Sequence, residues 1–105
     1  MATKVKTPIP RRMRVGKRMY SVEVVEALLE KSWKGAVNYD KRHIRIGRNS
    51  NLTGNPFTPA QVNETFWHEV THAILYDMDS PLYKNESFVN AFASRLSKAI
   101  DSAKF

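Results

Sequence analysis

Residues 68 to 72 read His68, Glu69, Val70, Thr71 and His72, the pattern His-Glu-x-x-His. On a helix, positions i and i+4 lie one above the other on the same face. The two imidazoles then point the same way, as two ligands of one metal ion must. Glu69 falls about 100° further round the helix. There its carboxylate can take a proton from a metal-bound water without competing for the metal. Two histidines and a glutamate at this spacing point to zinc-dependent peptide hydrolysis, with His68 and His72 as metal ligands and Glu69 as the base.

The elements that must position these residues are legible around them. Thr58, Pro59 and Gln61 form a strong helix start: a threonine N-cap, proline at the first helical position and glutamine at N3 as in a capping box. Val62, Phe66, Val70, Ala73 and Ile74 then recur at helical spacing. The pattern predicts an amphipathic helix to about Asp77, with the motif on the border of its buried face. A loop over 77–84 follows, marked by Pro81. Asn85 caps a last helix whose apolar face is Phe88, Val89, Phe92, Ala93, Leu96, Ala99 and Ile100.

A catalytic zinc usually takes three protein ligands and leaves a fourth position open. The chain has no cysteine, so the third ligand must be His, Asp or Glu. The only other histidine, His43, reads as an exposed strand-end residue. Among the carboxylates, Glu86 is the candidate, with Asp77 and Asp79, which follow the motif closely, as its rivals. Two antiparallel helices joined by a short loop bring the start of the second near the end of the first, which favours Glu86. Complementing its own helix dipole is the competing role for Glu86. Asp77 and Asp79 lie in or near the turn after the motif helix, where folding back to the metal is harder.

The first half of the chain predicts the sheet. Met13, Val15, Met19, Val22 and Val24 suggest short strands around a turn at Gly16-Lys17. Val22 to Trp33 fits either element: Val22, Val25, Leu28 and Leu29 suit a helix, and the β-branched residues at 22, 24 and 25 suit the tail of a strand; a short helix from about Val24 to Ser32 is favoured. Ala36-Val37-Asn38-Tyr39 and His43-Ile44-Arg45-Ile46 read as a β-hairpin, and residues 49–56 as a loop. At 105 residues this is one small α+β domain over 11–105, preceded by a flexible basic arm over 1–10.

Residues 1–48 hold 13 Lys and Arg against 4 Asp and Glu; residues 49–105 hold 4 against 6. A basic front half suits nucleic acid or an acidic partner, met through Arg11, Arg12, Arg14, Lys17 and Arg18. No run of about 20 apolar residues exists to span a membrane. The basic N-terminus lacks the apolar core of a signal peptide, so a cytoplasmic protein is expected, and a monomer is the expected state.

On these residues the sequence resembles the gluzincin group of metallopeptidases, which pair His-Glu-x-x-His with a glutamate on a following helix. It is most similar to small phage and prophage proteins related to the ImmA/IrrE-type and SprT-like families. The resemblance runs through MRVGKRMYSV, GAVNYDKRHIRIG, FWHEVTHAI and NESFVNAFASRL. It implies a minimal zincin-like fold, a small antiparallel sheet packed on the motif helix and a ligand helix after it. It implies zinc held by His68, His72 and Glu86, with Glu69 catalytic; Tyr76 and Tyr83 are candidates to assist, but packing is the expected role of each. The substrate would be a protein segment laid along an edge strand at Ile44–Gly47, and the enzyme a phage product acting in the host cytoplasm. Asn90 stands where larger gluzincins carry an aspartate that holds a ligand histidine, and its amide oxygen can accept the same N–H. The competing reading is a metal-stabilised module that binds a protein or nucleic acid without cleaving it.

Overall fold

A computed structural model of the chain describes residues 9–28 and 34–105. The elements run in the order β1 (Arg12–Val15), β2 (Arg18–Val25), β3 (Gly35–Asn38), β4 (His43–Gly47), α1 (Pro59–Asp77), a 3-10 turn (Pro81–Lys84) and α2 (Glu86–Ser102). The class is α+β, as expected.

Both hairpins form where turn residues and alternation place them. β1 and β2 pair antiparallel across Gly16-Lys17, with Val15 opposite Arg18. Gly16 takes φ +61°, a conformation that costs glycine nothing. A Cβ there would overlap the Asp77 carboxylate, so the end of α1 closes onto this turn. β3 and β4 pair antiparallel, with Val37 opposite Ile44.

The sheet as a whole is mixed, with strand order β1-β2-β4-β3. An all-antiparallel sheet was expected, but β2 and β4 run parallel, Val22 beside Ile44. The reason lies in the link over 26–34. Arg48 and Asn49 donate to the Val25 and Glu26 carbonyls, and Gly47 to Lys34, so the link leaves and re-enters at one end of the sheet. β3 then runs away from that end and β4 returns beside β2. This order puts Ile44 and Ile46, both 0% exposed, at the centre.

The helix expected from Val24 to Ser32 does not form in its described part. Val24 and Val25 continue β2, because the β-branched residues at 22, 24 and 25 suit a pleated surface better than a helix. Residues 29–33 lie outside the described residues, as does the expected arm up to residue 8. Ile9, the next residue, packs against the core.

One face of the sheet is covered. Val15, Tyr20, Val22, Ile44 and Ile46 pack with Phe66, Val70 and Ala73 of α1. α2 packs on α1 and on the 3-10 turn, and no contact with the sheet accompanies it among the described residues. α1 is therefore the middle layer, which explains why polar residues such as Asn63, Glu69 and His72 are buried on it. Its start is the expected capping box. Thr58 accepts from the Gln61 N–H, and the Gln61 side chain accepts from the Thr58 N–H. Asn85 caps α2 by accepting from the Phe88 N–H. The apolar face of α2 is only half used: Val89 and Ala93 are buried, while Phe88 and Phe92 stack on each other and stay exposed.

Candidate metal centre

The antiparallel helix pair brings the start of α2 over the middle of α1. Asn63 donates to Asp101 at one end, and His68 and His72 meet Glu86 at the other. The three side chains converge on one point. His68 Nε2 lies 3.1 Å from Glu86 Oε1, His72 Nε2 lies 2.9 Å from Glu86 Oε2, and the two Nε2 atoms are 3.2 Å apart. Two nitrogens and one carboxylate of this geometry could hold a metal ion.

The imidazoles are prepared as ligands. His72 is buried, and its Nδ1–H donates to the Tyr83 carbonyl at 2.7 Å. That bond fixes the tautomer with the Nε2 lone pair facing Glu86. His68 is held below the usual histidine pKa, first by burial and then by His72, so it is neutral and able to ligate. The Glu86 side chain is 64% exposed, so the point of convergence is open to solvent on one side.

Glu69 is 6% exposed and lies on the sheet side of the cluster. A Cβ built on Gly35 would stand 3.0 Å from Glu69 Oε2 and 2.7 Å from Thr65 Cγ2. Gly35 is thus the close approach that lets β3 pass over Glu69. Burial, and after it the Glu86 charge, push the Glu69 carboxyl up to about 8. All these groups line one cleft of about 840 Å³, walled by Lys34 to Val37 on one side and by α1, Glu86 and Asn90 on the other.

Asp77 and Asp79 do not join the cluster. Asp77 lies at the Gly16 turn, 3.7 Å from Arg18, and Asp79 sits in the turn after α1 with φ +56°. His43 opens β4 between Ser21 Oγ at 2.6 Å and Glu23 Oε1 at 3.1 Å, away from the cluster as expected. Asn90 lines the cleft, but the bond that orients His72 comes from Tyr83 instead. A main-chain carbonyl in a turn leaves no mark in the sequence. Tyr76 and Tyr83 take the packing role expected of them. Their rings pack with Tyr39, stacked at 4.2 Å and edge-on at 5.5 Å, and neither lines the cleft.

The strand expected at an edge of the sheet is not at one. Ile44–Gly47 belongs to β4, which is flanked on both sides by β2 and β3. The edge strand beside the cleft is β3. Gly47 N–H donates to the Lys34 carbonyl at 2.7 Å, so by antiparallel alternation Ala36 faces β4 while Gly35 and Val37 turn their N–H and C=O to the free edge. The signal for this was present: a glycine opening a β-prone run often marks a close backbone approach.

No helix among the described residues is long and apolar enough to cross a membrane. The chain matches no family model, no curated protein sequence and no solved structure.

Proposed function

We propose that the chain is a small gluzincin-like zinc peptidase that cleaves an extended protein segment laid along β3. The observation that carries this reading is the convergence of His68, His72 and Glu86 beside a buried Glu69 at an open strand edge. Donors about 2.0–2.2 Å from a tetrahedral zinc stand roughly 3.3–3.5 Å from one another. The three separations here, 2.9 to 3.2 Å, need only a slight spreading to match. A structural zinc usually closes its fourth position with a protein ligand. Among the described residues the group has three members, and its exposed side faces the cleft.

When bound, zinc supplies a Lewis acid that polarises the scissile carbonyl and makes water acidic enough to ionise near neutral pH. His68, His72 and Glu86 hold it. Gly35 and Val37 bind the substrate main chain by adding a strand, which presents a peptide bond at the cleft. Glu69 accepts the proton of the attacking water at its carboxylate and passes it to the departing amine. Its burial keeps competing water away and makes it a stronger base than an exposed carboxylate.

The test is cleavage of a denatured proteome by zinc-loaded protein, read by mass spectrometry, with Glu69→Gln alongside. New termini should arise with wild type and fall at least about 100-fold in the variant, the low end for losing a general base, while zinc content stays the same. Equal cleavage by the variant would overturn the role of Glu69.

A further inference from the structure

The parallel pairing of β2 and β4 gathers cations that lie far apart in the chain. Both strands start at the same end of the sheet. Ser21 N–H donates to the Arg42 carbonyl at 2.9 Å, so the β3–β4 turn sits beside the start of β2. The Gly16-Lys17 turn enters β2 at that same end. Lys17 and Arg18 thereby join Lys41 and Arg42. On β1, Met13 packs against the core and Val15 is part of it, which turns Arg12 and Arg14 onto the opposite face. All six cations are exposed. The acids nearby are Asp77, held by Arg18, Asp40 in the β3–β4 turn, and Glu23 beside His43.

This side of the sheet is also uncovered. The helices pack on the other face, and among the described residues no element lies over it. Its exposed apolar side chain is Met19, opposite Arg14. Protein interfaces are centred on apolar and aromatic anchors, and among the described residues this surface offers Met19 alone. Single-stranded nucleic acid is held largely by bases stacking on aromatic rings, and among the described residues none is exposed on this face. What remains is charge, and Arg12, Arg14 and Arg42 carry the fork that matches phosphate oxygens, while Arg18, opposite Val15 and paired with Asp77, lies toward the helix face.

We propose that this end of the sheet binds the phosphate backbone of double-stranded DNA without reading its sequence. From β1 to β4 the surface is about 10 Å wide. A duplex presents about six phosphate charges over that length of its axis. Arg12 and Arg14 stand about 7 Å apart along one strand face, with the cations of the two turns beyond them. The binding surface is separate from the metal centre, so its test does not depend on peptidase activity.

The experiment is fluorescence anisotropy of a labelled duplex of about 20 base pairs, titrated with the full chain from about 50 to 200 mM KCl. If Arg12, Arg14, Lys41 and Arg42 each neutralise one phosphate, log K should fall against log salt with a slope near −3.6. The triple variant Arg12→Gln, Arg14→Gln, Lys41→Gln should lose affinity at least about tenfold at low salt and reduce the slope by about 2.7. A variant with the same change of charge, Lys84→Gln, Arg95→Gln, Lys98→Gln on the 3-10 turn and α2, should bind as wild type. Zinc content and thermal melting of both variants report whether the fold is kept. No binding at low salt, equal loss in both triple variants, or tighter binding to single strands or polyglutamate would overturn the proposal.

Discussion

Replacing Glu69 with glutamine should change how the stability of the metal-free protein depends on pH. The Glu69 carboxyl is buried, and its pKa rises from 4.5 to about 8 through burial first and the Glu86 charge second. Below about pH 4.5 both the folded and the unfolded chain are protonated there, and the group contributes nothing to the pH dependence. Between about 4.5 and about 8 the unfolded chain gives up the proton and the folded chain keeps it. The folded state then binds more protons, so stability falls as pH rises, by about 1.4 kcal/mol per unit. By pH 7 the loss amounts to about 3 kcal/mol, a large part of what a domain of this size has. Glutamine has the same shape and no proton to lose. Burying its amide carries a cost of its own, but that cost does not vary with pH. Urea unfolding in excess chelator at pH 5, 6, 7 and 8 gives both profiles. Wild type should decline across the window and Glu69→Gln should lie flatter, the gap widening by about 2 kcal/mol or more from pH 5 to pH 7. Zinc should close much of that gap, because a nearby cation favours the ionised carboxylate. Parallel profiles for the two metal-free proteins would refute the placement of Glu69 as a buried, neutral acid.

Three further outcomes follow from the site and its supports. Val37→Pro removes an N–H that faces the free edge of β3, so it should abolish cleavage while zinc content stays near one per chain; retained cleavage would exclude strand addition at β3. Gly35→Ala places a Cβ 2.7 Å from Thr65 Cγ2 and 3.0 Å from Glu69 Oε2, and should cost about 1–3 kcal/mol in urea unfolding. Asp77→Ala removes an ion pair with Arg18 at the Gly16 turn and should cost at most about 1 kcal/mol with no loss of zinc, whereas Glu86→Ala should lose zinc.

How much of this was legible in the sequence depends on the range of the interaction that decides each element. Thr58, Pro59 and Gln61 set the start of α1 through contacts within one turn, and Asn85 does the same for α2, so both helices could be read directly. Gly16-Lys17 marked the first hairpin for the same reason. The triad of His68, His72 and Glu86 followed from helix periodicity and a short connection. The β2–β4 pairing is different. It rests on which end of the sheet the 26–34 link occupies, and no short-range pattern records that. The same pairing decides which strand is an edge: Ile44–Gly47 is enclosed between β2 and β3, and β3 takes the outer position. Val24 and Val25, valines near leucines, fit either period, and the sheet settles them as strand by burying Val22 beside Ile44. The Tyr83 carbonyl that orients His72 is a main-chain group, available to any residue at that position.

Zinc-edge X-ray absorption on stoichiometrically loaded protein, with metal content measured alongside, tests the central claim most directly. The account predicts one zinc per chain, bound by two imidazole nitrogens at about 2.0–2.1 Å and by oxygens at about 2.0–2.2 Å from a carboxylate and one water. It also predicts that Glu69→Gln leaves this spectrum unchanged and that Glu86→Ala loses the carboxylate oxygen or the metal. A chain that retains no zinc, or a zinc shell with fewer than two imidazoles that survives Glu86→Ala, would contradict it.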